Sequence, residues 1–165
     1  MMNYFKISIG ILIALAASRI IPHPPNFTSL IALSFYVPAF FGRKYIFSVI
    51  FVFFITDLII GIHSNLIFTY SSVFFIGFLA NYFNRSLTNR IVGVLIGSFI
   101  FYIISNFGVW LTSSFYPKTI DGIIYCYFLA LPFFGNTVIS TLIYSIIIET
   151  ISSYYKNIIK NKFKY

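Results

Sequence analysis

The sequence predicts an all-α integral membrane bundle of six transmembrane helices, and three observations predict it. The chain has 165 residues, mean hydropathy +0.94, 59% hydrophobic side chains and only 8% charged ones. A water-soluble domain of this size has no interior large enough to hide that much apolar surface. The apolar runs are continuous, whereas barrel strands alternate polar and apolar over about ten residues, and lipid admits only helices or closed barrels. Basic residues also sort to one side when successive runs alternate across a bilayer. No polar stretch is long enough to be a linker, so residues 1–165 read as a single transmembrane domain.

The first span covers about residues 5–21 and carries Gly10, Ala14 and Ser18 at four-residue spacing. Such small residues admit a second helix at short range, within the bundle or as a docking face for a partner membrane protein. Arg19 near its end snorkels outward. The segment has a second reading: Lys6, an apolar stretch and Ala14-Leu15-Ala16 match a signal peptide with a small-residue cleavage site, whose removal leaves five spans. The second span, 27–41, is short and bent by Pro38. The third, 45–62, carries Asp57, and the fourth is 66–83. The fifth, 91–111, holds Gly93 and Gly97 for internal packing. The sixth, 123–148, contains Pro132 and Gly135, which predict a kink or break. Its polar stripe (Asn136, Thr137, Ser140, Thr141, Tyr144, Ser145, Glu149) reads as a helix–helix seam in preference to a polar path.

With six alternating spans, nine of the 11 Lys and Arg fall on one side: Lys6, Arg43, Lys44, Arg85, Arg90, Lys156, Lys160, Lys162 and Lys164. The positive-inside rule places both termini in the cytoplasm, and Ile-, Phe-, Asn- and Lys-rich usage suits the inner membrane of an AT-rich bacterium. The net charge of +8 then serves anionic lipid, and nucleic acid is not an expected partner. The lone Cys126 excludes an internal disulfide, and neither a metal site nor a cofactor is expected.

The few polar groups outside that basic set converge on the opposite mouth. Arg19 leads into Pro22-His23-Pro24-Pro25-Asn26, a loop stiffened by three prolines that holds His23 and Asn26 over the bundle end. Asp57 lies in the apolar run 51–62, where an ionised carboxylate needs an interior partner; Arg19 is first in line, then Lys118 or His63. Asn106 and Trp110 share a helix face. Lys118 and Asp121 are the charges of the longest loop on this side. Arg19, His23, Asn26, Asp57, His63, Asn106, Trp110 and Lys118 are therefore the expected substrate-binding residues. Gly-Lys-Ser/Thr phosphate loops and His-Glu-x-x-His are absent, and the chain has one Cys, two His and three Asp or Glu. That inventory is poor in acid–base groups, so a non-enzymatic role is expected.

Five runs carry a resemblance: residues 19–27, 56–63, Ser105-Asn106-Phe107-Gly108-Val109-Trp110, Tyr116-Pro117-Lys118-Thr119, and Leu131-Pro132-Phe133-Phe134-Gly135-Asn136. They resemble a family of small uncharacterised bacterial membrane proteins assigned a transport role, and the Pro-His-Pro-Pro-Asn-Phe string is the most specific part. The architecture also resembles the substrate-binding S component of energy-coupling-factor vitamin transporters. That resemblance implies six helices, a ligand site near the outer face with a first-loop lid, and docking of the first helix on a transmembrane coupling subunit that works with ATPases. The expectation is capture and uptake of a small vitamin-like or nucleobase-like solute. A non-transporting scaffold using Gly10, Ala14 and Ser18, and an intramembrane enzyme using Asp57 and His63, are the two alternatives.

Overall fold

The computed structural model describes the backbone of residues 2–162 and the side chains of residues 9–154 apart from Leu12. The expected sidedness of Lys6, Lys156, Lys160, Lys162 and Lys164 thus lies outside the described side chains. The described residues form six α-helices and no strand: α1 Met2–Ile20, α2 Leu30–Phe41, α3 Ile46–Ile60, α4 Leu66–Leu79, α5 Leu87–Thr112 and α6 Ile120–Lys162. Short 3₁₀ turns, Arg43–Tyr45 and Ala80–Phe83, follow α2 and α4. Among the described residues, three stretches are long and apolar enough to cross a membrane: Leu66–Phe83, Leu87–Thr112 and Ile120–Tyr154.

The expectation that every helix approaches the ~20 residues of a full span does not hold for α3, at 15 residues, and least of all for α2. Its 12 residues rise only about 18 Å. The reason is position. α2 packs against all five other helices, which follow one another around it in the order α1, α3, α4, α5, α6. Every residue from Leu30 to Pro38 is buried. A helix enclosed by protein has no need to match lipid thickness. The ring does not close between α1 and α6, where apolar grooves run over α2, lined by Gly10, Leu33, Tyr36 and Ile148 and by Ala14, Ala17 and Tyr144.

Glycines set the closest approaches. Gly93 lies under the Phe35 and Phe83 side chains, and Gly97 under Ile76, as expected of internal packing. Gly42 and Gly61, at φ +103° and +125°, end α2 and α3 by donating to the Pro38 and Asp57 carbonyls. Pro38 therefore sits one turn before a helix end. Of the expected kink or break at Pro132 and Gly135, a break does not occur: α6 runs as one helix of 43 residues. Proline removes a single backbone bond, and packing along α5 holds the flanking turns.

Buried hydroxyls bond to carbonyls of their own helices: Ser34 to Leu30 at 2.6 Å, Ser98 to Val94 at 3.1 Å, Thr137 to Phe133 at 2.9 Å and Ser145 to Thr141 at 2.6 Å. This is how small polar residues line a packed seam without external partners. The outward faces carry Ile and Phe, among them Phe51, Ile67, Phe128 and Ile146. Arg43, Lys44, Arg85 and Arg90 lie at one end of the bundle, by the α2–α3 and α4–α5 turns, called the basic end below.

Candidate functional site

At the opposite end the α1–α2 and α3–α4 connections meet the second half of α5 and the middle of α6 around a cavity of about 450 Å³. Its polar lining includes Arg19, His23, Asn26, His63, Asn65 and Asn106, over an apolar floor of Ile31, Phe53, Phe101 and Val109. Each contributor follows from the local sequence.

Pro24-Pro25-Asn26-Phe27 is a tight turn, closed by the Phe27 N–H donating to the Pro24 carbonyl at 3.0 Å. Asn26 takes the positive φ of 62° at the third position, where a turn led by proline favours glycine or asparagine. The turn is tied on both sides. Asn136 of α6 donates to the Pro25 carbonyl at 3.1 Å. Ser18 and Ser29 share a hydrogen bond of 2.8 Å, and the Ser29 N–H donates to Ser18 Oγ at 3.1 Å. His23 stands between two carbonyls, with Nδ1 2.7 Å from Pro24 O and Nε2 3.3 Å from Arg19 O.

Arg19 pairs with Asp57, Nη2 to Oδ1 at 2.6 Å. Its Nη1 donates to the Phe53 carbonyl at 3.3 Å and to Thr56 Oγ1, and its guanidinium lies 4.5 Å from the Phe53 ring centre. The other Asp57 oxygen accepts from the Tyr70 hydroxyl at 2.7 Å. Asp57 has no exposed surface, and its carboxylate is satisfied by a cation and a phenol, as burial of a charge requires. It anchors Arg19 from behind; Arg19 meets the cavity and Asp57 does not.

Asn65 precedes α4 and donates to the Ser105 carbonyl at 2.8 Å. Its Oδ1 is buried against Gly108 and has no hydrogen-bond partner. Asn106 Nδ2 returns to the Tyr102 carbonyl at 2.8 Å, one turn back on α5. Thr69 and Thr137 complete the lining from α4 and α6. Asn65, Thr69, Thr137 and the Tyr70 anchor were not among the expected site residues. Asn65 sits at a helix start and Thr137 in the seam, so an ordinary structural role masked each.

Six of the eight expected residues meet at this end: Arg19, His23, Asn26, His63 and Asn106 on the cavity wall, and Asp57 behind it. Trp110 and Lys118 stand apart and hold one another. Trp110 Nε1 donates to the Pro117 carbonyl at 3.0 Å. Lys118 donates to the Trp110 and Ser113 carbonyls, and its ammonium lies 5.6 Å from the indole centre. Neither lines the cavity, because the loop folds back on its own carbonyls. Asp121 is exposed in the first turn of α6. On α1, Gly10 and Ala14 are exposed, whereas Ser18 is buried and spent on Ser29.

No cluster of three or more His, Cys, Asp or Glu stands close enough to hold a metal ion among the described residues. The cavity offers amide and hydroxyl groups, two imidazoles and one guanidinium over aromatic and aliphatic surface, without a free carboxylate. Such a lining offers hydrogen bonds and positive charge above an apolar floor. No curated protein and no solved structure matches the sequence. A family model described as "Family of unknown function (DUF6580)" matches residues 2–161, so the chain belongs to that family.

Proposed function

We propose that this protein is a six-helix integral membrane protein that captures a small organic solute at the cavity mouth and serves its uptake across a bacterial inner membrane. In this reading the basic end and both termini face the cytoplasm. The observation that carries it is the cavity of about 450 Å³ with its polar rim, a volume within the 300–1,000 Å³ range of small-molecule sites. Membrane embedding is supported by the exposed Ile and Phe of the outward faces, an apolar surface too large for water to cover. The sidedness is supported by Arg43, Lys44, Arg85 and Arg90 at the other end.

Arg19, His23 and His63 face the cavity and no carboxylate does. An anionic or zwitterionic solute suits them, and a flat apolar body suits Phe53, Phe101 and Val109. Vitamin-like and nucleobase-like compounds combine both features. Passage needs rocking of the bundle or a coupling subunit with ATPases docked on the exposed Gly10 and Ala14 of α1, in the manner of an energy-coupling-factor S component. A pure scaffold has no use for the cavity. An enzyme built on Asp57 and His63 needs the two in contact, whereas the Asp57 carboxylate is committed to Arg19 and Tyr70.

The test is thermal melting of the purified protein in nanodiscs against aromatic carboxylates, nucleobases and B vitamins. A true ligand at a hundred times its Kd adds about 2.7 kcal/mol, a rise of about 5–10 °C for a chain of this size. Asn106→Leu is expected to remove that rise while melting normally without ligand. If no compound class shifts the wild type, or the hit shifts Asn106→Leu equally, the reading fails.

A further inference from the structure

We propose that the cleft between the start of α3 and the end of α4, at the basic end, binds the headgroup of an anionic phospholipid. The inference rests on the membrane reading above and is independent of the solute cavity. A cavity of about 180 Å³ is lined there by Arg43, Lys44, Ile46, Phe47, Phe74 and Phe78. The 3₁₀ turn Arg43–Tyr45 presents the two cations side by side. The Arg43 guanidinium is held 5.0 Å from the Phe78 ring centre and 5.3 Å from that of Tyr82, and the Lys44 ammonium 5.5 Å from the Tyr45 ring centre.

Among the described residues these cations have no carboxylate partner. The chain contains three acidic residues, Asp57, Asp121 and Glu149. Asp57 is paired with Arg19 and Glu149 with Arg90, and Asp121 opens α6 at the far end of the bundle. Among the described residues nothing neutralises Arg43 and Lys44, which leaves both open to an anion. The surroundings identify the anion. Apart from the two cations the lining is wholly apolar, and Phe47, Phe74 and Phe78 are 62%, 39% and 44% exposed on the adjoining outward face. A free phosphate finds no donors here for its remaining oxygens. A phospholipid sets its phosphate on the cations and lays an acyl chain along the rings, as basic pockets between helices at the cytoplasmic side do.

The experiment reconstitutes the full-length protein with equal phosphatidylglycerol and phosphatidylcholine, re-extracts it, and counts retained lipid by native mass spectrometry. The wild type is expected to retain phosphatidylglycerol in preference. Arg43→Gln/Lys44→Gln is expected to lose that preference by on the order of twentyfold, about fivefold for each cation, while Arg85→Gln keeps it. Lys44→Gln alone, at an exposed side chain, gives the fivefold step should the double variant not fold. Equal retention of the two lipids by the wild type, or an unchanged preference in the variants, overturns the proposal. Displacement by millimolar glycerol 3-phosphate overturns it too, since the site would then belong to a free phosphate ester. Recovery of the protein in the soluble fraction would instead sink the membrane reading itself.

Discussion

Asp57 has no exposed surface, and its neighbours are one guanidinium and one phenol. Removing one partner of such a pair strands a charge and costs about 3–5 kcal/mol, whereas replacing both with apolar residues is far milder. Asp57→Ala is therefore expected to lower folded yield and melting temperature sharply. Arg19→Met/Asp57→Leu is expected to recover folding without recovering solute binding. If the double variant binds solute normally, Arg19 has no part in the site. A second residue-scale prediction contrasts two glycines. A Cβ on Gly108 collides with Asn65 Oδ1 and Phe68, and one on Gly135 meets nothing within 4 Å. Gly108→Ala is expected to be destabilising and to impair the cavity, while Gly135→Ala gains about 0.5–1 kcal/mol from helix propensity; melting curves decide both. The Arg19–Asp57 pair was legible in the sequence because a carboxylate in an apolar run must find a cation, and Arg19 lay at its depth. The Lys118–Trp110 contact was not, because its partners are backbone carbonyls, which every residue carries.

At the scale of the element, an ion pair fastens the helices at each end: Arg19–Asp57 at the cavity end and Arg90–Glu149 at the basic end. Arg90 grips Glu149 through two bonds, Nε to Oε1 at 2.5 Å and Nη2 to Oε2 at 2.9 Å, and donates to the Asn84 carbonyl at 3.2 Å. Its guanidinium also lies 5.5 Å from the Phe40 ring centre. The arginine thus joins α5, α6, the turn before α5 and the end of α2. Glu149→Gln breaks a bidentate pair whose side chains are 13% and 14% exposed, and is expected to cost about 3 kcal/mol, the low end for a buried pair. An unfolding midpoint unchanged from wild type would show the tie to be idle. The glycine spacing of α5 and the buried face of α6 could be read in advance, since small and hydroxyl-bearing residues repeat at helical intervals. The central place of α2 could not. A helix apolar on every side looks the same whether lipid or protein surrounds it, and only its shortness hinted that it does not span alone.

For the whole molecule, alternation of the helices sends the cavity to one end and Arg43, Lys44, Arg85 and Arg90 to the other. In a Cys126→Ser background, cysteines at 26 and 118 are expected to react with a membrane-impermeant thiol reagent in intact cells, and a cysteine at 85 only in inverted vesicles. Labelling of 26 and 85 from the same side would sink the orientation and the uptake reading together. The end at which Arg43, Lys44, Arg85 and Arg90 gather was legible from their positions between the apolar runs, while the open seam between α1 and α6 depends on side-chain volumes that no residue pattern displays.

The unbroken length of α6 has a mechanical meaning. Asn136 clasps the Pro25 carbonyl of the first loop, and Glu149, thirteen residues along the same helix, clasps Arg90, a separation of roughly 20 Å. One stiff rod therefore bears on both latches. A displacement along that rod would strain the first-loop tie and the Arg90 tie together, so the two ends of the bundle are mechanically linked.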